Sequence, residues 1–329
     1  MMVGMHRLRV GTLNLRDLQL PGEAIHPNVR PLNGGEYREK VDWLGALVRR
    51  LDADILAVSE LWTPQALVDV VDAAGFRDGV KFVTTTPIDR VGTRTSVALI
   101  VRSPWTVADH AWVTDLPKDL VLSKRRRAGA TADEEMSVDI PHFARPVLRA
   151  TVALEGAPSI TIFAVHMKSR RPVDLDPEDL VVPEVTRYGL ALGQAMTAVR
   201  RAAEAVGLGM IVDQWRRANP GPVVVAGDLN GPLGSETLGG DVARGRAIGL
   251  NATVRLAEPG TTSEGPFTYV NQGKPIVLDH VLVSDDFLAS PFAFAGLEVE
   301  NDHLSRPDEG LPRTVTDHGG VVAAFDLLD

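Results

Sequence analysis

The chain has no cysteine among its 329 residues. That excludes a disulfide framework, a thiolate nucleophile and any cysteine-held metal, so a bound metal must sit on oxygen or imidazole ligands. Also missing are an apolar run long enough to cross a bilayer and, in residues 1–10, the continuous hydrophobic stretch of a secretory signal. A cytoplasmic location is therefore expected. Aromatic residues are scarce at 5%, which leaves few rings for stacking bases. Positive charge is in deficit as well: 34 Lys and Arg stand against 43 Asp and Glu, a formal net charge of -9. Such a balance disfavours non-specific capture of nucleic acid or of an anionic membrane. No repeat of fixed period, low-complexity tract or interdomain linker breaks the sequence, and no motif speaks to a protein partner.

What remains is ordinary for a globular protein, with 44% hydrophobic and 23% charged residues. One domain over residues 1–329 is expected, with a large core. Strand-like runs rich in β-branched and aliphatic residues recur at 8–15, 54–59, 96–101, 147–154, 160–165, 223–226, 277–283 and 320–325. Several are apolar on both faces, which places them inside a layered structure. Helical spacing over 36–51 puts Val41, Leu44, Leu47, Val48 and Leu51 on one stripe. A longer alanine-rich stretch begins at Thr186 and runs to about Ala218, and Gly207 and Gly209 are expected to divide it into two helices. Three long loops, at 16–35, 114–144 and 170–185, carry proline, glycine or charge and are expected around a site.

Short polar signatures stand where apolar strands give way to loops. They read Thr-Leu-Asn-Leu at 12–15, Ser-Glu at 59–60, His-Met-Lys-Ser at 166–169, Gly-Asp-Leu-Asn at 227–230, Leu-Asp-His at 278–280 and Thr-Asp-His at 316–318. Hydrolysing a phosphate ester near neutral pH needs a divalent cation, an activated water and help for the leaving oxygen. Hard cations prefer carboxylates and amides. Glu60 and Asp317 supply the carboxylates, with Asn14 and Asn230 as amide companions. Asp228 is a candidate to hold or deprotonate the attacking water. Asp279 lies among aliphatic neighbours and is costly to bury without a partner; His318 is the natural one. His280 is expected on the opposite face of that strand, in a structural role. His166 ends a strand with Lys168 two residues on, so both are candidates to meet a phosphoryl oxygen. Two basic runs, Lys124 to Arg127 and Lys168 to Arg171, are candidate rims.

These residues, in this order from Val10 to Phe325, resemble the endonuclease/exonuclease/phosphatase family, which includes deoxyribonuclease I-like nucleases, inositol polyphosphate 5-phosphatases and neutral sphingomyelinases. Tyr37, Lys40, Asp52, Asp54, Thr268 and Tyr269 extend the likeness. The resemblance implies an α/β fold, a four-layer sandwich of two facing mixed β-sheets flanked by helices, with the site at one end between the sheets. It implies that Asn14 and Glu60 are the metal-side pair, with Glu60 the direct ligand to Mg²⁺ or Mn²⁺ and Asp317 the second metal-side acid. Asp228 and Asn230 match the family's Asp-x-Asn group, and Asp279 with His318 its Asp and His pair. His166 matches the nuclease, inositol phosphatase and sphingomyelinase branches; apurinic-site endonucleases carry a tyrosine-centred motif there, so abasic-site repair is disfavoured. Whether His318 or Asp228 takes the proton is left open. The expected activity is a phosphodiesterase on nucleic acid, with a small-molecule or lipid phosphoester as the alternative; the nearest approach to a lipid-facing apolar loop is Leu116 to Leu122. A non-catalytic binding protein of this fold is disfavoured because every proposed catalytic side chain is present.

Overall fold

The computed structural model describes residues 6–25, 29–77, 79–83, 94–118, 120, 122–123, 137–175, 188–232, 250–257, 266–305 and 310–328. In chain order its main strands are β1 (His6–Leu18), β2 (Ile55–Leu61), β3 (Val80–Val83), β4 (Ser96–Arg102), β5 (Thr106–Asp115), β6 (His142–Ala153), β7 (Ile160–His166), β8 (Val223–Asp228), β9 (Leu250–Ala252), β10 (Asp279–Ser284), β11 (Phe292–Glu300) and β12 (Gly320–Leu327). Its long helices are α1 (Gly34–Leu51), α2 (Pro64–Ala74) and α3 (Gly189–Ala218). One six-stranded sheet has the order β11-β12-β1-β2-β4-β3, the other β9-β10-β8-β7-β6-β5. Both are mixed: β1 is parallel to β2 and antiparallel to β12, and β8 is parallel to β7 and antiparallel to β10.

The period of two along a strand explains why the runs are apolar on both faces. Val10, Ala57, Ile162, Val224 and Val281 point into the core between the sheets. Residues of the opposite parity point outward: Leu13 and Leu56 meet Leu44 and Leu47 of α1 and Val70 of α2. On the other side Phe163, Val225 and Leu282 meet Ala203, Leu208 and Val212 of α3. Four layers result, helices outside and two sheets within, as expected.

Local signals set the ends of α1. Asn33 caps its N-terminus by accepting from the Gly35 and Glu36 amides while Glu36 reaches back to the Asn33 amide, and Asp52 closes it in the left-handed conformation at φ 42°. The expected break in α3 does not occur. The helix runs unbroken from Gly189 to Ala218. At Gly207 an added Cβ would stand 2.3 Å from the Leu116 side chain, so this glycine admits the neighbouring loop rather than ending a helix. Leu116 is correspondingly buried, so it does not serve as a lipid-facing tip, while Asp119 and Val121 of the same stretch lie outside the described residues. The first long loop is shorter than expected, because β1 continues to Leu18 through a bulge at Arg16 and Asp17. Much of the second and third loops, including the run Lys124 to Arg127, lies outside the described residues.

Candidate active site

The alternation that builds the core also builds the site. Asn14 continues the inward series of Val10 on β1, His166 that of Ile162 on β7, and Asp228 that of Val224 on β8, while Asp279 opens the inward series of Val281 on β10. Register brings them together: Asp228 pairs with His166 on one side and with Asp279 on the other. Their strands end here, so polar side chains replace apolar ones where the space between the sheets opens. His280 takes the opposite parity, and its Nε2–H donates to the Gly231 carbonyl, 3.0 Å away. Gly227, between Ala226 and Asp228, is needed sterically: at φ 153° its missing Cβ would lie 1.9 Å from the Val165 carbonyl oxygen.

From the first sheet comes Glu60, turned inward by a bulge near the end of β2 in which its own φ is 58°. The Asn14 side-chain amide donates to Glu60 Oε1 and to Asp228 Oδ2, 3.0 Å in each case, and its oxygen accepts from the Arg16 amide. One amide thus links two carboxylates from different sheets. Glu60 Oε2 accepts from the Asp17 amide at 2.9 Å. That amide belongs to the left-handed pair Arg16 and Asp17, at φ 49° and 54°, whose carbonyls receive the buried Lys40 ammonium. A left-handed pair without glycine is strained and must be held by such contacts.

His318 stands on the segment before β12. Its Nδ1 lies 2.8 Å from Asp279 Oδ2, and its Nε2 faces Asp228 Oδ2 at 4.0 Å. Thr268 Oγ1 accepts from the Leu278 and Asp279 amides, Thr316 Oγ1 donates to the Asn14 carbonyl, and His303 Nε2 meets the His318 carbonyl. Tyr269 packs its ring on His318 with centroids 5.0 Å apart. Burial works to lower the His318 pKa, but the charges of Asp279 and Asp228 outweigh it and raise it to about 10. His318 is therefore an imidazolium at neutral pH. Burial, then the Asp279 charge, pushes the Asp228 carboxyl up to about 7. His166 is driven the other way, well below the usual imidazole range, by burial and by the Arg145 guanidinium.

The donor set suits a hard divalent cation. Glu60, His166 and Asp228 place ligand-type atoms within 4.8 Å of one another, as do Asp228, Asp279 and His318. His166 Nε2 is 3.8 Å from Glu60 Oε1 and 3.7 Å from Asp228 Oδ2, too far for hydrogen bonds, so the three groups face a space that none of them fills. His166 Nδ1 is buried without a partner among the described residues. Burial first, and then neighbouring carboxylates, raise the pKa of Glu60, the situation a cation relieves.

The site opens into a cavity of about 400 Å³ whose lining includes Glu60, His166, Asp228, Asn230, Asp317 and His318. Two candidates sit differently from the rest. Asp317 stands at its rim, its side chain 34% exposed and 3.8 Å from the Arg16 guanidinium, outside the tight cluster. Lys168 turns its ammonium onto the Ser169 and Arg171 carbonyls and is absent from the cavity lining, where Arg145, Arg170 and Arg171 appear instead. Asn230 donates to the Met167 carbonyl at 3.0 Å and its backbone amide to Asp228 Oδ1 at 2.7 Å. Sequence reading also missed Arg201 and Glu204, both buried in α3. Arg201 donates to the Lys168 and Asn230 carbonyls, and Glu204 accepts from the Ala144 and Lys168 amides. The available signal was a charged pair three residues apart beside Ala203 on a helix face that packs inward. Arg145 carried no comparable signal.

Two facing mixed sheets that present carboxylates, amides and a carboxylate-bound imidazolium at one end define a metal-dependent hydrolase of phosphate esters. The chain belongs to the Endonuclease/Exonuclease/phosphatase family, whose model matches residues 32–318. A search of curated proteins by sequence finds no match. Among solved structures the fold is similar to truncated TDP2 of Caenorhabditis elegans, with 15% identity, TM-score 0.57 and 97% of each chain covered. It is similar too to the human Nocturnin catalytic domain with bound sulfate anion, at 15% identity and TM-score 0.56, covering 98% of this chain and 94% of that one. A mannosyl-6-phosphatase of Bacteroides thetaiotaomicron gives 13% identity and TM-score 0.55, with 97% and 99% covered.

Proposed function

We propose that this chain is a Mg²⁺- or Mn²⁺-dependent phosphodiesterase that cleaves nucleic acid by in-line attack of water. The observation that carries this reading is the convergence of Asn14 and Glu60 from one sheet with His166, Asp228 and Asp279 from three adjacent strands of the other. Glu60 would hold the metal directly, with Asn14 setting its position against Asp228 and Asp317 contributing to the metal side from the rim. When bound, the ion supplies positive charge to the phosphoryl oxygens and increases the acidity of the attacking water. Asp228 holds that water and accepts its proton, Asn230 orients the group around it, and His166 with a single ring N–H donates to a phosphoryl oxygen. The His318 imidazolium, fixed by Asp279, faces the charge that grows on phosphorus-bound oxygen. Arginines on the cavity wall and the flanking Trp62 and Tyr269 favour a nucleotide unit as the occupant.

A compact phosphoester is the second reading, favoured by a cavity of about 400 Å³ and by the acidic net charge of -9. Incubating the protein with supercoiled plasmid and, separately, with a chromogenic phosphodiester in Mg²⁺, Mn²⁺ or EDTA tests both. Metal-dependent nicking supports the nuclease reading. Turnover of the small ester without nicking transfers the assignment to small phosphoesters, and no hydrolysis of either by folded protein refutes both.

A further inference from the structure

The second sheet changes sign across the site. In spatial order β10, β8, β7 and β6 carry Asp279, Asp228, His166 and Arg145 at the same end. Beyond His166 the chain adds Arg170 and Arg171, and all three arginines line the cavity together with Asp17, Glu60, Asp228 and Asp317. Arg145 is held in place by its bond to the Met167 carbonyl at 3.0 Å. Among the described residues neither it nor Arg170 is in an ion pair, and Arg170 makes no hydrogen bond. Among the described residues Arg171 meets only the exposed Asp174, at 3.8 Å. By contrast Arg7, Arg9, Arg30, Arg50, Arg102 and Arg149 each meet a carboxylate. Among the described residues, an acidic protein thus leaves the Arg145 and Arg170 guanidiniums without a carboxylate partner in the cavity that holds its reactive groups. In the lining, four carboxylates stand against three guanidiniums, so a divalent ion would leave the whole positive.

We propose that Arg145, Arg170 and Arg171 receive a second phosphate of the substrate, so that the enzyme selects phosphoesters carrying another phosphate beside the scissile one. The inference rests on the hydrolase reading above and adds the substrate class. The scissile group would lie on the carboxylate side, whose residues could hold a cation, and the neighbouring phosphate would fall beyond His166, where guanidiniums offer paired donors in a planar fork. Such a group has two sources, the next phosphate of a polynucleotide or the second phosphate of a small metabolite. Both present the same chemistry to the arginines.

Calorimetric binding of adenosine 5′-monophosphate and adenosine 3′,5′-bisphosphate in Ca²⁺ is the test, on wild type and on the Arg170→Gln/Arg171→Gln double variant. The wild type should prefer the bisphosphate by about tenfold or more, the scale of one charge-assisted hydrogen bond. In the double variant the ratio should fall towards one, and Arg170→Lys/Arg171→Lys should keep part of it. Equal binding of the two nucleotides by wild type, or an undiminished preference in the Gln variant, overturns the proposal. Turnover of thymidine 5′-(p-nitrophenyl phosphate) and of its 3′-phosphorylated form separates this outcome from failure of the hydrolase reading: a bisphosphate preference in binding with no turnover of either ester refutes the hydrolase alone. Affinity that grows with oligothymidylate length identifies nucleic acid as the source of the second phosphate, and affinity that stays at the bisphosphate level identifies a small molecule.

Discussion

Replacing Asp279 by Asn removes one charge and leaves the shape of the site almost unchanged, which makes it the most informative single perturbation. The Asp279 and His318 side chains are both buried, 2.8 Å apart, and Asp279 is aligned by two backbone amides on Thr268 Oγ1. Asparagine keeps an oxygen for the imidazole Nδ1–H, so the ring stays in place. The charge that sustains the imidazolium is lost, and Asp228, 4.0 Å from Nε2, is then its nearest counter-charge. Removing one partner of a buried ion pair outright costs about 3–5 kcal/mol, so Asp279→Ala should unfold at clearly lower urea than Asp279→Asn. A mispositioned or wrongly protonated acid–base group costs about 10²–10⁴ in turnover. Asp279→Asn should therefore lose about that factor in kcat on a chromogenic phosphodiester, with its metal-titration midpoint within a factor of about two to three, because neither Glu60 nor Asn14 is touched. Near-wild-type kcat in Asp279→Asn, at saturating metal, would refute the role given to His318.

Further expectations follow from other contacts. Gly227→Ala drives a Cβ to 1.9 Å from the Val165 carbonyl at φ 153°; overpacking costs about 1–3 kcal/mol and a forced backbone about as much again, ~1–3 kcal/mol, which urea unfolding should register as a large fall in midpoint. Glu204→Gln loosens the turn at Lys168 without entering the cavity, so kcat should fall by about tenfold while metal affinity holds; a change in thermal midpoint alone would make Glu204 merely structural. Burial depresses the Lys40 pKa to about 8, with Asp17 opposing. Below that pH both folded and unfolded chains hold the proton and the cost of burying the cation is fully present. Between about 8 and about 10.4 only the unfolded chain holds it, so this residue makes stability rise with pH by up to ~1.4 kcal/mol per unit. The wild type minus Lys40→Met stability difference should climb across that window, and a flat difference would show that Lys40 is not titrating there.

Strands and their layering were legible because the two-residue period leaves a direct mark in sequence: Val10 and Leu13 are both apolar, yet they serve different cores. Polar signatures at the strand ends pointed to Asn14, His166, Asp228 and Asp279, and the same parity turns all four inward. What escaped were features set by contacts distant in the chain. Gly207 reads as a helix breaker until Leu116 is seen against it. Lys168 shares strand-end parity with His166, but the chain leaves the strand there, and loop carbonyls capture its ammonium. Arg145 precedes a proline in an unremarkable stretch, and only the pairing of β6 beside β7 brings it to the site. The edge strand β5 was missed because none of its residues is buried and its sequence lacks alternation.

The central claim is that these side chains form one metal-dependent hydrolytic site. Its most direct test is hydrolysis of a phosphodiester substrate as a function of Mg²⁺ and Mn²⁺ by wild type, Glu60→Gln and His318→Ala, each verified as folded. The account predicts no turnover in EDTA, a right-shifted metal titration in Glu60→Gln, and in His318→Ala a loss of most turnover at an unchanged metal midpoint. Metal-independent turnover, or full activity in His318→Ala, would contradict it.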